Sequence, residues 1–366
     1  MSARGVTIDV RWMSSGAGTY AFNLLKNLKS CDPSIDVHAI SAARDRQKVA
    51  PYCDRVSVVD ADIYSVREQF AVASATARST PLHATHYNAS LLHRGPLLVT
   101  IPDVTPLLAD KYCATWKSRL YAKPMLRAIA RRADHVFTVS EYSQQQLSRH
   151  LDLPPEKITV AHNGVGDEFR PMDAERADST VRSEFGIESP FLLYIGNFRP
   201  HKNVAGLLRA FHLLRQRHRD HRLLLVGADG MQLGQLKKQA SDLGISNAVL
   251  FVQNAAQQSL IAAYSAASAL VLPSFEEGFG LPAIEAMACG TPVVCSKTSS
   301  LPEIAGGAAE YFDPNDIEQM ADAISRVLSD NELRMALRTR GLARAAQFTW
   351  QRSAQIHVDV YRRFLD

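Results

Sequence analysis

The chain has 366 residues, 46% of them hydrophobic and 21% charged. At roughly 150 residues per domain this implies two globular domains and excludes a disordered or fibrous chain. Lysine and arginine exceed aspartate and glutamate by 41 to 37, and the resulting +4 is too small to argue for nucleic acid. Five scattered cysteines without a CxxC pair favour neither a disulfide framework nor structural zinc, and imply a reducing compartment. The opening residues run into a strand pattern with no signal-type apolar stretch. The charge-free segment Leu243–Phe275 is interrupted by Asn, Gln and Ser, so a cytoplasmic chain without a membrane span is expected.

In chain order, the first half offers strands at Val6–Val10, Val37–Ile40, Val56–Val59, Leu97–Ile101 and His135–Val139, with helices at 17–30, 65–78, 116–131 and 141–149. The segment 161–180 reads as a junction, because Gly, Pro and Asp break both periods. The second half alternates more regularly. Strands at Phe191–Ile195, Arg222–Val226, Val249–Val252, Ala269–Leu272 and Pro292–Cys295 are each followed by one helix, at 203–217, 231–243, 257–267, 282–289 and about 302–305. Residues 315–350 read as mainly helical. Such alternation predicts parallel sheets built from βαβ units, hence an α/β chain of two doubly wound domains facing across a cleft.

The strongest local signal is the run from Pro273 to Gly290, PSFEEGFGLPAIEAMACG. A strand gives way to a glycine loop, Pro282 marks a helix start, and Gly290 marks its end. Free N–H groups at such a turn suit phosphate or sugar oxygens. Glu277 and Glu285 place two carboxylates there to accept hydrogen bonds from hydroxyls, although a single acid at a helix start more often merely complements the dipole. A second corner, Ile195-Gly-Asn-Phe-Arg-Pro-His-Lys-Asn203, supplies Arg199 and Lys202, the cations a diphosphate needs.

The spacing Glu277-x7-Glu285 resembles the E-x7-E motif of retaining family 4 (group 1) glycosyltransferases of GT-B fold, and Gly196–Asn203 resembles their donor-diphosphate loop. The likeness continues through Gly16-Ala-Gly-Thr-Tyr20, Val139-Ser-Glu-Tyr-Ser143, Asn163-Gly-Val165 and Leu301-Pro-Glu-Ile304. It implies an acceptor domain at 1–170 and a nucleotide-sugar donor domain at 171–349, with a last helix at 350–366 returning to the first domain. It also implies catalytic roles for Arg199, Lys202 and Glu277. Donor contacts would come from Gly16, Gly18, Gly196, Asn203, Gly278, Phe279, Gly280, Leu281 and Glu285, and an acceptor side from Asp103, His86 and Tyr20. Where many members carry His-Asp-x-x-Pro, this chain has Pro102-Asp-Val-Thr-Pro106. His83 and His86 are candidates to replace the missing histidine, against the plainer reading of satisfied loop histidines.

Other patterns carry less. Gly16-Ala-Gly-Thr-Tyr-Ala21 fits a dinucleotide fingerprint, but no acid follows the second strand, so NAD is disfavoured. Asp60-x-Asp62 reads as surface acids, and His83-x-x-His86 lacks a third ligand, so neither a metal nor another cofactor is expected. The segment 116–132 is basic, amphipathic and free of acids, as suits a surface helix or a peripheral contact with an inner-membrane face. The resemblance favours GDP-mannose as donor and a glycan or lipid-linked glycan as acceptor. UDP-glucose, UDP-N-acetylglucosamine and dTDP-rhamnose are the alternative donors. A GT-B phosphorylase or epimerase, or a non-catalytic nucleotide-sugar binder, are the alternative classes.

Overall fold

Short, fully apolar strands can be buried on both faces only in a parallel sheet covered by helices, and that is what the computed structural model shows. The structure describes residues 5–13, 16–62, 65–105, 107, 116–188, 190–227 and 232–365. The chain forms two units: residues 1–164 with 349–366, and residues 165–348. The first and last residues of the second unit meet in space, where Val165 N–H donates to the Phe348 carbonyl (3.1 Å).

In the first unit the strands are β1 (Gly5–Asp9), β2 (Asp36–Ser41), β3 (Arg55–Val58), β4 (Leu82–Ala84), β5 (Leu97–Thr100), β6 (His135–Thr138) and β7 (Ile158–Val160). They pair in the order β3-β2-β1-β4-β5-β6-β7, and every pairing is parallel. The second unit holds β8 (Phe191–Ile195), β9 (Arg222–Val226), β10 (Val249–Val252), β11 (Ala269–Leu272), β12 (Val293–Ser296) and β13 (Ala309–Phe312). Its order is β10-β9-β8-β11-β12-β13, again parallel throughout. Each sheet therefore winds outward in both directions from one neighbouring pair, β1/β4 in the first and β8/β11 in the second. The carboxyl ends at such a switch point leave a crevice, because the flanking connections depart to opposite sides.

The junction expected at 161–180 contains more structure than its sequence indicates. Asp173 caps a helix, Ala174–Phe185, by accepting from Arg176 N–H (3.2 Å). This helix buries the single stripe Ala177, Val181 and Phe185. The strands β4, β7 and β13 were likewise absent from the sequence expectation.

The C-terminal helix Trp350–Tyr361 packs on Gly16–Cys31 in the first unit. A buried polar chain runs beneath it. His357 Nδ1 donates to the Ser353 carbonyl (2.7 Å), so its Nε2 accepts from the Tyr20 hydroxyl (2.7 Å). Tyr20 in turn accepts from Thr100 (2.7 Å), Thr100 accepts from His83 Nε2 (2.8 Å), and His83 Nδ1 accepts from Tyr361 (2.6 Å). Each group has one role, and the chain is neutral: burial holds the His83 pKa well below the ordinary imidazole value and His357 at about 4. Tyr361→Phe should therefore cost about 1–3 kcal/mol in urea unfolding, because it leaves a buried imidazole nitrogen unpaired. A variant as stable as the parent would contradict the network.

Candidate active site

The two corners singled out in the sequence follow β8 and β11, the switch-point pair of the second unit. The loops are tied together by Phe275 N–H donating to the His201 carbonyl (2.8 Å). Lys202 Nζ then meets Glu277 Oε2 at 2.7 Å, with the side chains only 16% and 11% exposed. The other Glu277 oxygen accepts from buried Ser274 Oγ (2.8 Å), and the Glu277 carbonyl accepts from Ser300 Oγ (3.0 Å). The cation and the carboxylate expected to act on one donor thus form a single fixed pair. Arg199 is exposed at the start of the short turn Pro200–Lys202, and its guanidinium meets no partner among the described residues. Between these cations His201 is neutral: burial, with Lys202 second, pushes its pKa down to about 4.

Gly280 precedes the helix Leu281–Ala288 at φ +92°, and a Cβ there would lie 2.7 Å from Leu301 Cδ2. A side chain is excluded by backbone conformation and by space together. Leu281 is the first helical residue and half-buried; Gly278 forms the bend before it. Glu285 keeps partial exposure as a residue, but its carboxyl is deep. Burial pushes the pKa up to about 7, and the hydrogen bond from Tyr264 OH to Oε2 (2.7 Å) only partly opposes this. Gly196 N–H donates to the Val226 carbonyl (3.0 Å), which fixes the first turn of the other loop.

Two expected donor contacts are corrected. Asn203 is 6% exposed, and its amide is fully engaged: Nδ2 donates to the Pro273 (3.1 Å) and Pro314 (2.9 Å) carbonyls while Oδ1 accepts from Gly206 N–H (3.2 Å). It is a helix cap and a brace between loops. Asn203→Ala should therefore lower stability by about 2 kcal/mol in chemical unfolding, with nucleotide affinity of the folded protein unchanged. A selective loss of affinity would restore the donor role. Phe279 is 4% exposed, packed edge-to-face on Phe348 with centroids 5.7 Å apart, so its ring belongs to the interior.

In the first unit Gly16 opens the helix Gly16–Cys31, and a Cβ at Gly18 would fall 2.4 Å from the Met13 carbonyl carbon. Close backbone approach alone requires that glycine. Tyr20 is corrected from an acceptor contact to a core strut, 4% exposed, by the hydrogen bonds given above. His83 is fully buried in the same network, so it does not replace the missing histidine. Asp103, beyond β5, caps its own turn by accepting from Thr105 N–H (2.7 Å); Pro106 lies outside the described residues. His86 lies beyond β4, stacked on Trp12. The sequence reading missed the supports Ser274 and Tyr264, and the buried group Asp9, Arg11 and Glu68. Their only sequence signal is Asp9-x-Arg11 at a strand end. Asp60 accepts from Ala43 N–H (3.0 Å) in a local turn. Among the described residues no three His, Cys, Asp or Glu gather as a metal site, and no helix is long and apolar enough to cross a membrane.

The second α/β unit thus brings Lys202, Glu277 and Arg199 to its switch point, and the chain's relatives place this arrangement among the glycosyltransferases. The family described as Glycosyl transferases group 1 matches residues 177–344, and Glycosyltransferase Family 4 matches 14–169. The chain is 32% identical over 269 residues to O-antigen chain mannosyltransferase B of Escherichia coli, covering 72% of this chain and 70% of that one. Sucrose-phosphate synthase from Thermosynechococcus elongatus superposes with a TM-score of 0.80 at 21% identity over 98% of each chain. Anabaena Alr3699/HepE, solved with UDP-glucose, superposes at 0.79 and 19% identity, over 97% of this chain and 99% of that one. The chain belongs to the group 1, family 4 glycosyltransferases, with the GT-B fold.

Proposed function

We propose that this glycosyltransferase moves a mannosyl unit from GDP-mannose to a glycan or lipid-linked glycan acceptor in cell-surface polysaccharide assembly, with retention at the anomeric carbon. The Lys202–Glu277 pair, held at 2.7 Å on the switch point of the second unit, is the observation that carries this reading. The likeness to the O-antigen chain mannosyltransferase supports mannose.

In the proposed step the bond from the sugar C1 to the β-phosphate oxygen breaks. The acceptor oxygen bonds to C1 on the same face, and the acceptor proton passes to the departing phosphate oxygen. Arg199 and Lys202 neutralise the charge that develops on that diphosphate. Glu277 orients sugar hydroxyls and Glu285 accepts from the ribose, while the Gly278–Leu281 turn brings backbone N–H groups near the phosphates and Gly196 fixes the loop that carries Arg199 and Lys202. In the first unit, Asp103 is proposed to face the acceptor.

With side-chain cations in this role no metal is required. EDTA should leave the rate within about twofold of the untreated enzyme, whereas a loss restored by Mg²⁺ would remove that part of the proposal. Thermal shift with GDP, UDP and dTDP tests the donor: GDP should raise Tm most, since only a ligand that binds the folded state stabilises it. A shift with UDP alone would favour UDP-glucose or UDP-N-acetylglucosamine, and one with dTDP alone would favour dTDP-rhamnose.

The helix Trp116–Arg132 is the proposed contact with anionic lipid. Its described side chains bury Met125, Leu126, Ile129 and Ala130 and expose Arg127 and Arg131. Met125 also lines an apolar cavity of about 380 Å³ whose rim exposes Val66 (76%), Phe70 (61%) and Leu92 (45%). An exposed apolar rim and a helix with outward arginines are the two features that suit an anionic bilayer surface. Flotation with anionic vesicles and not with neutral ones is the expected result; equal recovery with both would contradict it.

A further inference from the structure

The first unit has a switch point of its own, at β1/β4, where Trp12 follows one strand and His86 the other. Their rings stack with centroids 3.9 Å apart at 29°, and Tyr87 lies against His86 at 4.1 Å. The two loops that carry the stack are joined through one buried carboxylate, Glu68. Arg11, the residue before Trp12, donates Nε and Nη2 to Asp9 (2.9 and 2.7 Å) and Nη2 also to Glu68 Oε1 (2.7 Å). The other Glu68 oxygen accepts from Asn88 Nδ2 (2.6 Å), and Asn88 N–H points at His86 Nδ1 (3.3 Å). Asp9, Arg11, Glu68 and Asn88 are each no more than 3% exposed.

A buried charged group of this kind is a poor source of stability, since desolvation offsets most of the Coulomb gain. What it does secure is geometry. His86 Nδ1 accepts, so Nε2 carries the ring hydrogen, and Nε2 meets no hydrogen-bond partner among the described residues. Burial pushes the ring pKa down to about 3, so the group is a neutral donor. A neutral N–H fixed on an aromatic stack at a switch point matches a hydroxyl rather than a phosphate. The first unit carries the acceptor in the proposed reaction, and Asp103 is so far its one assigned contact, so hydroxyls of a glycan acceptor remain to be matched.

We propose that the Trp12–His86 pair is a recognition site for a sugar hydroxyl of the acceptor, with His86 Nε2–H as the contacting donor and Glu68 as the positioning residue that aims it. The proposal rests on the glycan-acceptor reading above and deepens it. His86→Phe keeps a planar ring against Trp12 and removes both nitrogens. Glu68→Gln keeps the shape but cannot accept from Arg11 and Asn88 together.

With α-mannobiose as the acceptor probe at saturating GDP-mannose, His86→Phe should raise acceptor KM about fivefold or more, while donor hydrolysis without acceptor stays within about twofold. Glu68→Gln should raise the same KM, and the double variant should be no worse than His86→Phe alone, as expected for residues acting through one contact. If Glu68→Gln fails to fold, Asn88→Ala takes its place: it removes the Nδ2 bond to Glu68, so Glu68 no longer holds the segment whose backbone N–H meets His86, and it leaves the Arg11–Glu68 pair intact. Binding is read separately as a change in tryptophan fluorescence on adding α-mannobiose, lost in Trp12→Phe and in His86→Phe. An unchanged acceptor KM in His86→Phe, multiplying effects in the double variant, or no fluorescence change in the parent enzyme would overturn the proposal. Arg199→Ala is measured alongside: its inactivation beside a normal His86→Phe overturns only this inference, whereas an active Arg199→Ala overturns the donor reading.

Discussion

Lys202→Ala should lower kcat by about 10²-fold or more with little change in Tm, and Arg199→Ala should do the same. The Lys202 ammonium is largely shielded and 2.7 Å from Glu277. Its removal takes away a cation and also leaves a carboxylate facing the diphosphate, so like charges repel where a neutralising pair stood. The variant Lys202→Ala/Glu277→Gln separates the two effects. If Lys202 serves only to neutralise Glu277, the double variant regains activity. If it stabilises the leaving group, activity stays low. Arg199 lacks such a partner and is exposed, so its loss acts on the ligand alone. Steady-state turnover within about threefold of the parent in both single variants would contradict these roles.

Glu285 should make nucleotide binding and stability respond to pH in opposite directions. Its carboxyl titrates at about 7 in the folded chain against an ordinary value of 4.5. The folded state therefore holds a proton that the unfolded state has lost between those values. Stability falls as pH rises through this window, and the cost is complete above about 7. Glu285→Gln removes an ionisation that opposes folding by something on the order of 3 kcal/mol, and Tyr264 can still donate to its amide oxygen. The variant should match the parent in Tm near pH 4.5 and exceed it by several degrees at pH 8. Ribose hydroxyls, by contrast, donate best to the ionised carboxylate. GDP affinity of the parent should rise by up to about tenfold per pH unit below 7 and level off above it. Glu285→Gln should bind weakly at every pH. A flat affinity profile between pH 6 and 8, or a variant less stable at pH 8, would refute the assignment.

The second unit was the more legible from sequence because each of its strands is a compact apolar run followed by one periodic helix. β8 to β11 coincide with the runs expected at 191–195, 222–226, 249–252 and 269–272. β4 and β7 have only three residues each, and Pro81 and Pro154–Pro155 stand at or near their approaches, so neither period nor length marks them. The helix Ala174–Phe185 escaped because its apolar stripe is one residue wide amid charges. At the site, the x7 spacing exposed Glu277 and Glu285, but nothing local shows that Lys202 reaches across 75 positions to Glu277. Asn203 and Phe279 misled for a related reason. Sequence adjacency to a ligand loop does not reveal whether a side chain faces the ligand or braces the loop. Glu68 was beyond reach, since a lone acid one turn into an amphipathic helix is what a cap would also place there. In the structure it accepts from Arg11 and Asn88, from 57 and 20 residues away.

The most direct test of the central claim is product analysis by NMR after incubation with a glycan acceptor and, in separate reactions, GDP-mannose, UDP-glucose, UDP-N-acetylglucosamine and dTDP-rhamnose. Consumption of GDP-mannose with an α-linked mannosyl product, abolished in Lys202→Ala, is the predicted result. A β-linked product, or turnover that persists undiminished in Lys202→Ala, would contradict it.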